Sequence, residues 1–269
     1  MGSPFRRALD GHRPYDPVRR HLAVEGLVAK REGSAELRKY YRFRADRWYG
    51  GIATADASGC GLLCKFCWAS DRALYRPAEV GDFYAPEGVA SRLARIAEGR
   101  GFRQVRVSGG EPTIGRAHLL RLLERIDSLK GYAFILETNG ILIGHDASYA
   151  EALSKYGCLH ARVSLKGCDE EDFYALTGAA PDGFRLQLEA LGNLVDAGVE
   201  CHPAVMASFS PPGKLGALID RLRAIDPGLA GGIEIEELIL YDRVADRIRK
   251  YGLRPFTSHR PGEVPKESI

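Results

Sequence analysis

Residues 51–68 read GIATADASGCGLLCKFCW. The alternating run 51–56 predicts a β-strand. It feeds a glycine-flanked loop in which Cys60, Cys64 and Cys67 stand at the spacing C-x3-C-x2-C. Gly59 and Gly61 ease the tight backbone that turns three sulfurs toward one point. Thiolates at this spacing suit an iron–sulfur cluster or zinc. A closed zinc site needs a fourth ligand, and would recruit a distant Cys158, Cys168 or His202. A four-iron cluster held by three cysteines instead leaves one iron open to a substrate or cofactor. The spacing favours the cluster and leaves zinc as the alternative.

Downstream of this loop, strand-like and helix-like segments alternate. Strands are predicted at 102–108, 132–138, 159–165, 199–207 and 233–240. Helices are predicted at 86–99, 116–129, 147–156, 169–177, 183–197, 213–225 and 242–250. Repeated alternation implies parallel strands with right-handed crossovers. With the strand at 51–56 this makes six β/α units: an α/β fold, read as a partial (β/α)6 barrel (an incomplete TIM barrel), although a doubly wound sheet would give the same local signals. In both, functional groups collect at the C-terminal ends of the strands. The cysteine loop, Gly109-Gly110-Glu111-Pro112, the run 137–140 and the residues after Leu165 all fall on that edge. The expected organisation is a helical N-terminal extension over 1–50, the barrel over 51–252 and an irregular tail over 253–269. In the extension, Asp16 caps a helix with Pro17 at its first position and Val18, Leu22, Leu27 and Val28 as its apolar stripe. Ser34 caps a second helix carrying Leu37, Tyr40 and Tyr41.

The chain has 269 residues, 45% of them hydrophobic, enough to bury one barrel-sized core. Its 38 basic and 35 acidic residues nearly cancel, so net charge names no partner. Residues 1–50 are uneven, with 12 Lys/Arg against 6 Asp/Glu. That excess reads first as a solvated helix face, and second as a dock for an acidic redox protein or RNA. Tyr40, Tyr41 and Trp48 beside Arg42, Arg44 and Arg47 come near the interleaved platform of a single-strand nucleic-acid binder. With no apolar signal region, no membrane-length apolar run and clustered cysteines, the reading is a cytoplasmic protein in a reducing setting.

The cysteine loop with Phe66 in its aromatic position, followed by GGEP after the next strand, resembles the radical S-adenosylmethionine (SAM) superfamily. The likeness spans roughly residues 50–240. Thr138-Asn139-Gly140 after the third strand, and Ser164-Leu165-Lys166 with Thr177-Gly178, resemble the branch of pyruvate formate-lyase activating enzymes. YYRFRADRWYGG before the loop and SGGEPTIG after it are most similar to an archaeal group of Fe–S oxidoreductases.

The resemblance implies a [4Fe-4S] cluster on Cys60, Cys64 and Cys67, with SAM chelating the open iron. One-electron cleavage of the sulfonium then gives a 5′-deoxyadenosyl radical that abstracts hydrogen from a substrate. It also implies cofactor contacts. Phe66 would flank the adenine. Gly109 and Gly110 would admit the methionine moiety, and Glu111 would accept from its ammonium group. Pro112 would stiffen the turn, and Thr138 would sit at the site. Lys166 would pair with the methionine carboxylate, Ser164 would bond an oxygen, and Asp242 would bond ribose hydroxyls. Glu137 and Ser164 stand where the activating enzymes have aspartates that build a monovalent-cation site, which argues against that site here. The implied partners are an electron donor such as flavodoxin or ferredoxin, and a substrate that is a protein glycine, an RNA base or a small metabolite. Against the enzyme stands a non-catalytic zinc or Fe–S binding module.

Other residues have plainer readings. Cys158 and Cys201 are core thiols. Cys168, just past the fourth strand, is a core thiol first and a catalytic hydrogen-atom donor second. His118 and His145 belong to surface helices. Asn139-Gly140 is equally a turn, and Trp68 packs its loop onto the core.

Overall fold

A long strand, β2 (Ala35–Asp46), lies antiparallel against the strand that enters the cysteine loop, β3 (Ile52–Ala57). The computed structural model describes residues 13–264. The first twelve residues of the extension and the last five of the tail lie outside them.

From β3 the sheet continues through β5 (Gln104–Ser108), β6 (Ala133–Thr138), β7 (Leu159–Leu165), β8 (Cys201–Val205) and β9 (Glu234–Ile235), every neighbour parallel. These are the six β/α units of an open partial barrel. On the far side of β3, β2 pairs antiparallel with β1 (Ala29–Glu32) and with the short β4 (Asp82–Tyr84). The sixth strand is shorter than its sequence suggests, because 236–240 leaves the sheet to face the tail through the bridge Ile239–His259.

The strands show a period of two with polar residues inside. Val105 and Val107, Phe134 and Leu136, and Ala161, Val163 and Leu165 are buried in the core. Their alternates Arg106 and Ser108, Glu137, and Arg162, Ser164 and Lys166 face a cavity in the barrel. The interior is thus a charged chamber, unlike the layered apolar core of a closed eight-stranded barrel.

The helix Pro17–Val28 forms as expected, with Asp16 accepting from Val18 N and Arg19 N at 2.8 and 3.1 Å. Its buried face differs: Pro17, His21, Val24 and Val28 point inward, while Leu22 and Leu27 are exposed. The second helix does not exist; its residues are β2. The chain bulges between Tyr40 and Arg42. A bulge sets two successive side chains against one partner residue and turns the strand. Tyr40 therefore enters the outer core, while Tyr41, Arg42, Arg44 and Asp46 line the cavity. His118 is buried, contrary to its surface reading, between Tyr40 Oη at 3.0 Å and Glu36 O at 2.9 Å.

Candidate active site

The cavity opens at the C-terminal ends of the parallel strands and has a volume of about 1190 Å³. Cys60, Cys64 and Cys67 all line it. Their loop is shaped by close packing. A Cβ on Gly61 would lie 2.1 Å from His21 Nδ1, and one on Gly59 would lie 2.7 Å from Val24. The N-terminal helix is therefore seated directly on the cysteine loop. Tyr15 extends this strap: its hydroxyl accepts from Leu63 N at 2.9 Å and donates to Thr177 O at 3.1 Å.

Three N–H groups reach the sulfurs. Leu62 N lies 3.4 Å from Cys60 Sγ, Ala69 N lies 3.4 Å from Cys67 Sγ, and Asn139 Nδ2 lies 3.6 Å from Cys60 Sγ. Burial pushes the Cys60 thiol well above its ordinary range, with Glu111 and the neighbouring thiols adding to it. Burial pushes Cys64 up to about 12, with Lys166 acting in the opposite sense. Such thiols become thiolates when a cationic centre takes them as ligands. Among the described residues no group of three His, Cys, Asp or Glu is arranged to hold a single metal ion. Three cysteine thiols on one loop are a donor set that would suit an iron–sulfur cluster.

Gly109, Gly110 and Glu111 follow β5 and lean on the cysteine loop. Gly109 has φ +87°, and a Cβ on Gly110 would lie 2.3 Å from Gly59 O. Both positions need glycine, one for its backbone angle and one for close approach. Glu111 N donates to Gly59 O at 2.8 Å. The Glu111 carboxylate is held by the protein itself. Oε1 accepts from Thr113 N, Thr113 Oγ1 and Thr138 Oγ1 at 3.0, 2.6 and 2.7 Å, and Oε2 accepts from Asn139 N at 2.8 Å. Only Oε2 keeps an open acceptor direction toward a ligand. Pro112 is buried behind the turn and does not line the cavity.

Phe66 packs against Phe209, ring centroids 5.8 Å apart, with Lys166 Nζ 6.0 Å from its centre. Lys166 donates to Ser164 Oγ, which itself donates to Glu236 Oε1 at 2.6 Å. Arg162 forks onto Glu234 at 2.9 and 2.6 Å and reaches Glu236 at 2.9 Å. Across the chamber Arg106 bridges Glu137 and Asp46, both at 2.6 Å, while Tyr49 Oη and Ser108 Oγ donate to Glu137 at 2.8 and 3.0 Å. Burial works to raise the Glu137 carboxyl, but Arg106, Arg162 and these hydroxyls outweigh it and hold it below the usual range.

Two more expected site residues fall outside the cavity lining. Asp242 is an exposed first-turn residue of the helix Asp242–Lys250, and its neighbours Tyr241 and Arg243 line the cavity in its place. The sixth strand closes at Ile235, so the chain runs on outside the sheet before this helix begins. Cys168 is buried outside the cavity lining. Its N–H bonds Asp172 Oδ2 at 3.1 Å, and Ser210 lies beside its thiol. That removes the geometric basis for a hydrogen-atom donor. Trp68 lines the cavity mouth at 38% exposure, with the Arg42 guanidinium 5.8 Å from its ring. His21, Tyr41, Arg42 and Arg44 were not expected at the site. The paired tyrosines before two arginines were the available signal.

A partial barrel with three thiols and a glycine–glycine–glutamate turn at one edge defines a class of cofactor-dependent α/β enzymes. Residues 56–209, more than half of the chain, match the Radical SAM superfamily, and the chain belongs to it. Its curated relatives include the probable GTP 3′,8-cyclase of Methanosarcina mazei, 30% identical over 149 residues, covering 55% of this chain and 42% of that protein. The probable GTP 3′,8-cyclase of Thermococcus kodakarensis is 33% identical over 138 residues, covering 51% and 40%. The chain thus spans about two fifths of these relatives. Among solved structures, Streptococcus suis SuiB bound to S-adenosylmethionine superposes with a TM-score of 0.51 at 21% identity, covering 76% of this chain and 48% of that one. A spore photoproduct lyase mutant with bound SAM gives 0.55 at 13% identity, covering 78% and 63%. These likenesses show the fold. The family's cofactors are a [4Fe-4S] cluster and SAM. No helix among the described residues is long and apolar enough to cross a membrane.

Proposed function

We propose that this chain is a radical SAM enzyme acting on a nucleobase-bearing substrate. Cys60, Cys64 and Cys67 hold the cluster. Gly109 and Gly110 leave room for the methionine moiety, Glu111 Oε2 takes its ammonium group, and Lys166 takes its carboxylate once released from Ser164. Phe66 forms an apolar wall for the adenine. Bound together, cluster and SAM supply a 5′-deoxyadenosyl radical that abstracts hydrogen, the electron coming from a low-potential donor such as flavodoxin or ferredoxin.

The observation that carries the substrate class is the mouth built by the β2 bulge. Tyr41 and Trp68 lie 6.0 and 5.8 Å from the Arg42 guanidinium, with Arg44 beside them at the same opening. Aromatic faces stack bases, and guanidinium groups pair with phosphates. The names of the curated relatives, GTP cyclases, point the same way, and do not favour the protein-glycine reading.

The test is anaerobic reconstitution, reduction with dithionite and addition of SAM. 5′-Deoxyadenosine should form, and purine nucleotides or RNA should raise its yield above the substrate-free level. Stimulation by peptides alone would overturn the substrate class. An intact cluster giving no 5′-deoxyadenosine would leave a binding module instead of an enzyme.

A further inference from the structure

We propose that His21, from the N-terminal helix, and Asn139, from the end of β6, form a fixed hydrogen-bond relay that holds an N–H on Cys60 Sγ and raises the cluster's reduction potential. This rests on Cys60 being a cluster ligand.

Each proton in the relay is determined by a backbone group at one end. His21 Nδ1 lies 2.6 Å from Pro17 O. A carbonyl only accepts, so Nδ1 carries the hydrogen and Nε2 presents a lone pair. At the other end, Asn139 Oδ1 accepts from Ile141 N at 3.0 Å, which fixes the amide's orientation. Its amino group then faces His21 Nε2 at 3.0 Å and Cys60 Sγ at 3.6 Å. One hydrogen goes to the imidazole lone pair and the other to the sulfur. His21 is fully buried and Asn139 is 5% exposed, so the bond between them is shielded from water.

Neither ring nor amide has room to turn away. Gly61, between the first two cysteines, sits directly against the His21 ring, where a Cβ would fall 2.3 Å from Cγ and 2.5 Å from Cε1. Gln187 Nε2 donates to Asn139 O at 2.6 Å and pins its backbone from the opposite side. The relay therefore joins two segments 118 residues apart at a single sulfur.

An N–H on a ligating sulfur draws charge from it and stabilises the more electron-rich, reduced cluster, so the potential rises. His21 does not touch the sulfur. It is a positioning residue, which keeps the second amide hydrogen from competing for Cys60 and aligns the first.

The experiment is an EPR-monitored redox titration of the anaerobically reconstituted enzyme without SAM, with dithionite as reductant and iron counted in every sample. Asn139→Leu keeps the volume and removes the donor. At a fixed poise its reduced-to-oxidised ratio should fall about tenfold, a one-electron shift of about 59 mV downward. His21→Leu should fall about threefold, and His21→Gln, which restores an acceptor to Asn139, should return toward wild type. Where Asn139→Leu fails to load iron, the His21 pair decides. Fully loaded Asn139→Leu at the wild-type potential would overturn the inference, as would His21→Leu and His21→Gln titrating together. A wild-type protein that binds no four-iron cluster would overturn the ligand assignment instead.

Discussion

Residues 15–46 and the barrel strands meet the same cavity by different routes. Each barrel strand delivers side chains by simple alternation, as Arg106 and Ser108 or Arg162, Ser164 and Lys166 do. The N-terminal segment delivers its groups by packing against what the barrel has built. Tyr15 holds Leu63 N, His21 presses on Gly61, and the buried Arg38 donates to Ile114 O at 3.0 Å and to Glu111 O and Val28 O at 3.4 Å. The cysteine loop and the GGEP turn, each a short local motif, are thus held in mutual register by a segment outside the alternating units.

The largest loss of stability is expected from Gly61→Ala. The added methyl would overlap the fully buried imidazole of His21. A cost of about 3 kcal/mol, the upper end for overpacking, is expected. Chemical denaturation would measure it, with iron loading falling in parallel. Wild-type stability would mean that the helix is loosely seated.

A comparable effect should appear with pH. Burial, against a weaker pull from Glu36 O, lowers His118 from 6.5 to about 4. The unfolded chain therefore binds this proton more readily than the folded one. The contribution is complete above pH 6.5 and is lost as pH falls through about 4, on the order of 3 kcal/mol in all. His118→Gln should flatten the stability profile over that window. An unchanged profile would remove the buried His118 as its cause.

Arg38→Leu should cost about 2 kcal/mol, because the carbonyls it serves lose a charged donor while buried. A urea midpoint would read it. The smallest stability effect belongs to Arg42→Ala. Arg42 is 46% exposed, and its partner Asp56 keeps a bond from Arg44 at 3.0 Å. Stability should change by less than about 0.5 kcal/mol, while nucleotide-stimulated 5′-deoxyadenosine falls severalfold. Undiminished stimulation would move the substrate away from the β2 mouth.

Some of this was legible because it is local. Cys60, Cys64 and Cys67 announce by their spacing that one loop gathers three sulfurs, and Gly109 and Gly110 announce a close backbone approach. Six strands and most of the helices between them carry their own periodicity. β2 was misread as a helix for a definite reason: the bulge between Tyr40 and Arg42 breaks the period of two and leaves Leu37, Tyr40 and Tyr41 at helical spacing. Asp242 was misplaced because β9 closes after two residues, which nothing in 233–240 foretells.

The amino-acid sequence by itself determined the class of fold, the three-thiol loop and the turn that accompanies it, since each depends on neighbours within a few residues. Only the tertiary structure decided that His21 reaches Asn139 and Cys60, that Arg106 neutralises Glu137, and that Tyr41 and Arg42 form the mouth. Those contacts join residues from 31 to 118 positions apart, or follow from one bulged residue. A hydrogen bond or an ion pair at such separation is set by how strands and helices pack, which local pattern does not encode.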